Sequence, residues 1–310
     1  MNKTALAKFI DTLWDRDDIP ALQEYIRIPN VSQMFDPDWE THGHIEKAVR
    51  LFEDWAKKKI NPLKGAKVEV ARAKGRTPLL TIAIPGTGAG NVLIYGHLDK
   101  QPGVTGWLKG TGPWTPAIKA GKLYGRGGAD DGYAMFSAIS SLLALAEQNI
   151  PYPRAVIVIE AGEESGSPDL TFYIERLAKK IGIPDLIVAL DSGCGNYDQL
   201  WLTTSLRGIA AGKLTVKVLT EGLHSGDAGG IVPSSFRILR RLLSRIENDK
   251  TGAIKPDAFS VEVPPDRLKQ AKVSAAILGD KVFSRLPFGG KRLLGTEESL
   301  AGQATVLVSD

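Results

Sequence analysis

Residues 91–102, NVLIYGHLDKQP, begin with an apolar run that is followed at once by polar side chains. Two later runs have the same form, AVIVIEA at 155–161 and DLIVAL at 185–190. Short runs that are apolar on both faces are typical of buried strands in a parallel sheet. Helical patterns separate the runs, over about 134–148 and 168–180. This alternation predicts an α/β fold in which a mostly parallel sheet is flanked by helices.

The chain on either side of these runs adds further elements. The first sixty residues have helical apolar patterns, and two extended segments, VEVARA and LLTIAI, follow them. Later, residues 208–220 are typical of a half-exposed strand, and residues 234–248 form an amphipathic helical pattern with four arginines. We therefore expect one domain over 1–206 and a smaller α+β domain over 207–310.

Side chains that can bind a metal ion stand at the carboxyl end of each apolar run. Pairs of them follow the first and second runs, one follows the third directly, and a further pair lies in GRGGADDG before the next helix. These residues are His97, Asp99, Asp130, Asp131, Glu163, Glu164 and Asp191. Because ligands bind beyond the carboxyl ends of parallel strands, we expect these side chains to share one crevice.

The residue types in this cluster indicate a particular chemistry. One imidazole with several carboxylates suits zinc, or manganese or cobalt, better than calcium or magnesium. The lack of cysteine among the candidates favours a catalytic site over a structural one. The carboxylates outnumber the ligands of one tetrahedral ion, which favours two ions that share a carboxylate and activate water for hydrolysis. Taken singly, each acid could instead cap a helix or lie in a solvated loop.

Composition excludes several classes of protein. The chain has 310 residues, a formal charge of +4 (39 − 35), a pI of about 9.0 and one cysteine. One cysteine cannot build an intramolecular disulfide framework and fits a reducing compartment, so we expect a cytoplasmic protein. The basic residues are spread along the chain, which gives no pattern for nucleic acid, and the apolar runs are too short to span a membrane.

Four motifs together carry a resemblance to a known family. YGHLDKQP, LYGRGGADDG, EAGEESGSPDL and HSGDAGG resemble, in order and approximate spacing, the dinuclear zinc amidohydrolases and metallopeptidases. That family includes carboxypeptidase G, acetylornithine deacetylase, succinyl-diaminopimelate desuccinylase, aminoacylase and carnosinase, and the motifs are most similar to the cytosolic nonspecific dipeptidase and carnosinase branch. The resemblance implies a zinc-exopeptidase-like catalytic domain over 1–206 and an incomplete lid and dimerisation domain over 207–310.

The resemblance implies a set of ligands for two divalent ions, zinc above all, with manganese or cobalt as alternatives. His97 and Asp191 would bind the first ion. Asp130 would bridge both ions, and Glu164 would bind the second.

The resemblance also implies catalytic roles. Glu163 would be the general base that takes a proton from the bridging water and later delivers it to the leaving amine. Asp99 would orient His97 from the side away from the metal. His224, in LHSGDAGG, would reach the active site of the partner subunit of a homodimer and stabilise the oxyanion. The helix over 234–248 is the expected dimer face.

The activity that the resemblance implies is hydrolysis of the peptide bond of dipeptides or short peptides. An N-acyl amino-acid deacylase of the same family is an alternative, because it uses the same chemistry on another substrate. A second alternative is a truncated homologue that folds but lacks a complete catalytic site.

Two departures from the family pattern bear on these alternatives. Gly132 stands where the family usually has a lysine after the Asp-Asp pair. The family's second metal also takes a histidine from near the C-terminus, and this chain has four histidines, none of them after His224. We therefore expect a C-terminally truncated chain whose first metal site is more competent than its second.

Overall fold

The computed structural model describes residues 1–203, 206 and 208–278. These residues form two compact units, which separate along the chain between Gly193 and Cys194. The boundary expected from the sequence, after residue 206, lies further along the chain. The assignment of a catalytic domain and a lid domain stays a prediction.

A five-stranded sheet lies at the centre of the first unit. Its strands are β1 Lys67–Ala71, β2 Leu79–Ile84, β3 Asn91–His97, β6 Arg154–Glu160 and β7 Leu186–Ala189. A separate hairpin consists of β4 Ala117–Lys119 and β5 Lys122–Tyr124. The strand order in the large sheet is β1-β2-β6-β3-β7.

The sheet is mixed, which corrects the expectation of a mostly parallel sheet. β3 runs parallel to both β6 and β7, whereas β1 pairs with β2, and β2 with β6, in the antiparallel direction. Residues 72–78, which connect β1 to β2, are too few for a crossover, since a crossover takes a dozen or more residues. The two strands therefore lie side by side as an antiparallel pair. The parallel half contains the three apolar runs on which the prediction rested.

Helices cover both faces of this sheet, as the sequence predicts. The helices of the first unit are α1 Lys3–Leu13, α2 Ile19–Ile26, α3 Trp39–His42, α4 His44–Lys59, α5 Tyr133–Glu147 and α6 Leu170–Ile181. Alternate residues of a strand point to opposite faces. Ile157 and Ile159 of β6 pack in the large core with α1, α2, α4 and α5, while Val156 and Val158 pack with Tyr173 of α6. β6 is thus buried on both faces.

Parallel pairing brings the carboxyl ends of β3, β6 and β7 to the same end of the sheet. His97 lies opposite Glu160, and Tyr95 lies opposite Ala189. The segments that leave these three strands therefore start side by side, which is where the sequence predicts the metal-binding residues.

In its described residues the second unit contains three helices. They are α7 Ser225–Ala228, α8 Ser235–Leu243 and α9 Pro265–Leu278. α8 confirms an amphipathic helix within 234–248, although it is shorter than that range. The strand expected over 208–220 is wrong: these residues are mostly exposed, and no described strand pairs with them. Residues 279–310 of the expected lid domain lie outside the described residues.

Across the described ranges, no helix is both long enough and apolar enough to cross a lipid bilayer.

Candidate metal centre

Residues 97–101, HLDKQ, lead away from the end of β3. Their side chains point alternately to two sides of the segment. Those of His97, Asp99 and Gln101 contact the acidic residues of the candidate site or their main chain. Those of Leu98 and Lys100 are fully buried, and Lys100 bonds to main-chain carbonyl groups at the end of α2. Such alternation is the geometry of extended backbone.

Acidic side chains from several segments converge on His97. Its Nε2 atom lies 3.3 Å from Asp130 Oδ1, 3.8 Å from Glu163 Oε2 and 3.8 Å from Asp191 Oδ2. Candidate ligand atoms of His97, Asp130 and Asp191 lie within 4.8 Å of one another, and so do those of His97, Glu163 and Glu164. The fold therefore brings together the residues that the sequence predicts as ligands and base. Asp130, the expected bridge, is in the first of these groups.

The ring of His97 is held so that one nitrogen faces the acids. Its Nδ1 lies 3.1 Å from the main-chain oxygen of Asp99, while the Asp99 carboxylate is 3.4 Å away. That carboxylate accepts hydrogen bonds from the main-chain N–H groups of Glu163 and Glu164, at 3.1 and 2.9 Å. Asp99 thus connects His97 to the turn that carries both glutamates, and Nε2 is left to face a cation.

The site holds more negative charge than one imidazole can balance. Burial by itself lowers the pKa of His97, but Asp130 and Asp99 more than reverse this and raise the pKa to about 11. Burial raises the pKa of Glu163 to about 7; His97 opposes this rise, and the charges of Asp191 and Glu164 add to it. Both pKa values are raised, as expected where several carboxylates lie close together. A cation bound among them would offset their charge.

Three buried atoms at this centre have no hydrogen-bond partner among the described residues: His97 Nε2, Glu164 Oε1 and Asp131 Oδ1. Buried polar atoms in folded proteins are nearly always paired, and an unpaired one calls for an explanation such as an ion. An imidazole nitrogen with several carboxylate oxygens is a donor set suited to zinc, manganese or cobalt. The residues present therefore fit a divalent metal.

Comparison with known families agrees with this geometry. Residues 93–267, more than half of the chain, match the family described as Peptidase family M20/M25/M40. The chain belongs to this family.

Two curated relatives of this chain have dipeptidase names. Human Beta-Ala-His dipeptidase is 31% identical over 189 residues, which cover 56% of this chain and 35% of the relative. Cys-Gly metallodipeptidase dug1 of Schizosaccharomyces pombe is 32% identical over 160 residues, which cover 50% of this chain and 33% of the relative. The matched region spans about a third of the length of these relatives.

Two solved structures share the fold. Human carnosine dipeptidase 1 has a TM-score of 0.63 and 22% identity, over 96% of this chain and 63% of that chain. The M20 family metallo-carboxypeptidase Sso-CP2 from Sulfolobus solfataricus has a TM-score of 0.62 and 20% identity, over 92% and 62%. This chain therefore spans less than two thirds of either structure.

Asp131, the second residue of the aspartate pair, lies in the site, as the sequence predicts for the pair, and makes a contact there that the sequence did not indicate. Its Oδ2 accepts a hydrogen bond from the main-chain N–H of His97 at 3.2 Å. Gly96 permits this approach, because a Cβ atom there would lie 2.6 Å from Asp131 Oδ2. Burial raises the pKa of Asp131 to about 8. The Asp-Asp pair in GRGGADDG indicates an aspartate at the site. Which of the two faces the main chain of His97 depends on the backbone conformation.

Gly132, where the M20/M25/M40 pattern usually has a lysine, is closely packed. A Cβ atom at this position would lie 2.2 Å from the ring of Tyr25 and 2.6 Å from the carbonyl oxygen of Gly127. Tyr25 is fully buried, and its hydroxyl donates to the carbonyl oxygen of Leu98 at 2.7 Å. A lysine therefore has no space here unless both Tyr25 and the main chain at Gly127 move.

Glu160 is a residue that the sequence did not single out. Its Oε1 accepts hydrogen bonds from the Tyr95 hydroxyl at 2.6 Å and from Ser167 Oγ at 2.8 Å. Tyr95 lies on β3, and Ser167 follows the turn that carries Glu163 and Glu164. Glu160, the last residue of β6, thus bonds to β3 through Tyr95 and holds the far end of this loop, at Ser167, to the sheet. The run AVIVIEA predicts the strand but gives no sign of this role.

His224 lies in the second unit. Its Nδ1 accepts a hydrogen bond from the main-chain N–H of Gly226 at 3.2 Å and so caps the start of α7. Its expected action at the site of a partner subunit stays a prediction.

Proposed function

We propose that this chain is a two-metal hydrolase that cleaves the peptide bond of dipeptides or short peptides. The observation that carries the proposal is the convergence of acids on His97, whose buried Nε2 lacks a hydrogen-bond partner among the described residues. Membership of the M20/M25/M40 peptidase family supports the reaction class. The dipeptidase names of the curated relatives support the substrate class.

In this proposal His97, Asp130 and Asp191 hold the first ion, and Glu164 holds the second with Asp130 shared. Zinc is the preferred ion for this donor set, with manganese and cobalt as alternatives. When bound, two such ions lower the pKa of a water molecule and polarise the scissile carbonyl. Since the chain has no histidine after His224, we expect the first site to bind its ion more tightly than the second.

Glu163 is the proposed general base. Its side chain is 34% exposed and lies 3.8 Å from His97 Nε2, so it is both close to the site and accessible from solvent. An unprotonated carboxylate in this position can accept a proton from the attacking water and then donate it to the leaving amine. Asp99 supports this role by fixing the main-chain N–H of Glu163.

We also propose a homodimer in which His224 acts at the site of the partner subunit. The proposed contact is α8, which is amphipathic and exposes the arginines Arg237, Arg240 and Arg241. Cys194 is a free, exposed thiol, which fits a reducing cytoplasm.

A substrate panel tests the proposal against its alternatives. The chain is loaded with Zn²⁺ and incubated with β-alanyl-histidine, cysteinyl-glycine and a set of N-acetyl amino acids, and the released amino acids are measured. We expect turnover of the dipeptides. Preferential turnover of the N-acetyl compounds would favour a deacylase, and a metal-loaded chain that cleaves neither class would favour a catalytically incomplete homologue.

A further inference from the structure

We propose that Gln101 is a positioning residue for the second metal ion, because it holds one carboxylate oxygen of Glu164 and leaves the other oxygen for the ion. This inference rests on the proposed function, since it concerns the ion that Glu164 is expected to bind.

The carboxylate of Glu164 is bonded at one oxygen. Gln101 Nε2 donates a hydrogen bond to Glu164 Oε2. The other oxygen, Oε1, is buried and has no hydrogen-bond partner in the part of the chain that the structure describes. The two oxygens therefore have different roles: one is fixed by an amide, and the other is available to a cation.

The same short segment fixes the main chain of Glu164. Asp99 Oδ2 accepts a hydrogen bond from the main-chain N–H of Glu164 at 2.9 Å. His97, Asp99 and Gln101 occupy alternate positions of this segment, so one ligand and both supports of Glu164 come from one stretch of chain. Lys100 anchors that stretch, because its Nζ bonds to buried main-chain carbonyl groups.

Asp99 fixes the main chain of the adjacent Glu163 as well, but the side chain of Glu163 has no support like that from Gln101. Glu163 makes its side-chain contact with His97 Nε2 at 3.8 Å, and its carboxylate has no hydrogen-bond donor among the described residues. A ligand must keep its position, whereas a general base must accept and release a proton. The hydrogen bond from Gln101 therefore gives Glu164 a fixed side chain, as a ligand needs, and leaves the side chain of Glu163 free of this constraint.

An amide is well suited to holding a metal-binding carboxylate. The side chain of glutamine donates an N–H group and adds no charge, so Glu164 keeps its full negative charge for the ion. A lysine or arginine in this position would neutralise the acid and repel the cation. Removing a hydrogen-bonding partner of a metal ligand typically weakens metal binding about 10- to 100-fold.

The test compares Gln101→Met with the unmodified chain by titrating metal-free protein with Zn²⁺ in competition with a chromophoric chelator. Methionine has a similar length but no N–H donor. We expect the affinity for the more weakly bound ion to fall about 10- to 100-fold and that for the tightly bound ion to stay unchanged. Gln148→Met is the matched control, because Gln148 is also half-buried and donates through Nε2, to the main-chain oxygen of Asn2.

A double variant shows whether the substitution of Gln101 changes metal affinity by acting through Glu164. In Glu164→Ala, the further change Gln101→Met should leave metal affinity unchanged, because its hydrogen-bond acceptor is already absent. Circular dichroism of the metal-free proteins checks folding. If Gln101→Met does not fold, Gln101→Leu, which is also uncharged and has no N–H donor, replaces it.

The outcomes separate this inference from the proposed function. Unchanged affinity for both ions in Gln101→Met, with dipeptide hydrolysis intact, overturns the positioning role and leaves the proposed function standing. An equal loss at both sites, or a loss that persists in Glu164→Ala, also overturns it. A chain that binds no Zn²⁺ before any substitution overturns the proposed function and this inference together.

Discussion

His97 combines complete burial with a surplus of nearby negative charge. Its position was predictable, because it comes at the end of an apolar run with the pattern of a strand, although the structure leaves most of that strand only half-buried. The orientation of its ring was not, because that depends on the main-chain oxygen of Asp99, 3.1 Å from Nδ1. The sequence likewise indicated the acids around it but not the contacts of Gln101 and Asp131, since those depend on the course of the backbone.

Asp18 is a buried acid outside the candidate site, and its burial changes the stability of the fold with pH. It is fully buried, Ser140 Oγ donates to its Oδ2 at 2.7 Å, and Oδ1 has no partner among the described residues. Burial raises the pKa of Asp18 to about 6; the hydrogen bond from Ser140 and the charge of Lys59 oppose this rise, and Asp17 adds to it. Between about pH 4 and 6 the folded state thus keeps a proton that the unfolded state has released, and stability falls as pH rises through that window.

We expect Asp18→Asn to remove this pH dependence, because an amide does not titrate. The unfolding free energy of the variant relative to the unmodified chain should increase between about pH 4 and 7, by at most about 3 kcal/mol. Urea unfolding of the metal-free proteins at several pH values measures this difference. Asp11→Asn, at an exposed position of α1, controls for the loss of a surface carboxylate. A relative stability of Asp18→Asn that stays constant over this range would contradict the explanation.

Among the elements, the buried strands and their following helices were the most predictable. α5 spans Tyr133–Glu147 where 134–148 was expected, and α6 spans Leu170–Ile181 where 168–180 was expected. The apolar pattern of β1 and β2 did not indicate their directions. The short connection between them implies an antiparallel pair, whereas the antiparallel pairing of β2 with β6 depends on which strands become neighbours in the folded sheet. The strand expected over 208–220 failed because an extended pattern becomes a strand only when another strand pairs with it.

Lys100 connects the end of β3 to α2. Its Nζ lies 2.8 Å from the carbonyl oxygen of Tyr25, 3.5 Å from that of Ile26 and 2.7 Å from that of Ile28. The last carbonyl groups of a helix lack partners within the helix, so the side chain supplies donors that α2 needs. Nζ also lies 3.8 Å from the centre of the Tyr25 ring. One side chain thus fixes a helix end beside the candidate metal centre.

Lys100→Met should therefore destabilise the fold, because it keeps the aliphatic stem but removes the ammonium donor from the carbonyl groups of Ile26 and Ile28. The carbonyl of Tyr25 still accepts from the main-chain N–H of Ile28. We expect a loss of about 2–4 kcal/mol in the free energy of unfolding, measured by urea denaturation. Lys119→Met is the matched control: Lys119 is exposed and donates to the carbonyl of Lys109, and its loss should change stability by less than about 0.5 kcal/mol. Equal stabilities of the two variants would show that Lys100 does not act in this way.

Over the whole molecule, the candidate ligands and the proposed base lie within the first unit, before Gly193, and His224 lies in the second. The four sequence motifs were sufficient to predict the family, which the match over residues 93–267 confirms. They were less informative about the end of the chain, where no motif follows HSGDAGG. The matched region spans about a third of the curated relatives, so the activity of these 310 residues is the property to measure.

The most direct measurement is of bound zinc and dipeptide hydrolysis on the same samples of the unmodified chain and Glu163→Gln. An amide cannot accept the proton, so the account predicts equal zinc content in both proteins and hydrolysis that is about 10²- to 10⁴-fold slower in the variant. Glu163→Gln that keeps most of the hydrolytic rate, or that loses its zinc, would contradict the assignment of Glu163 as the base of a two-metal site.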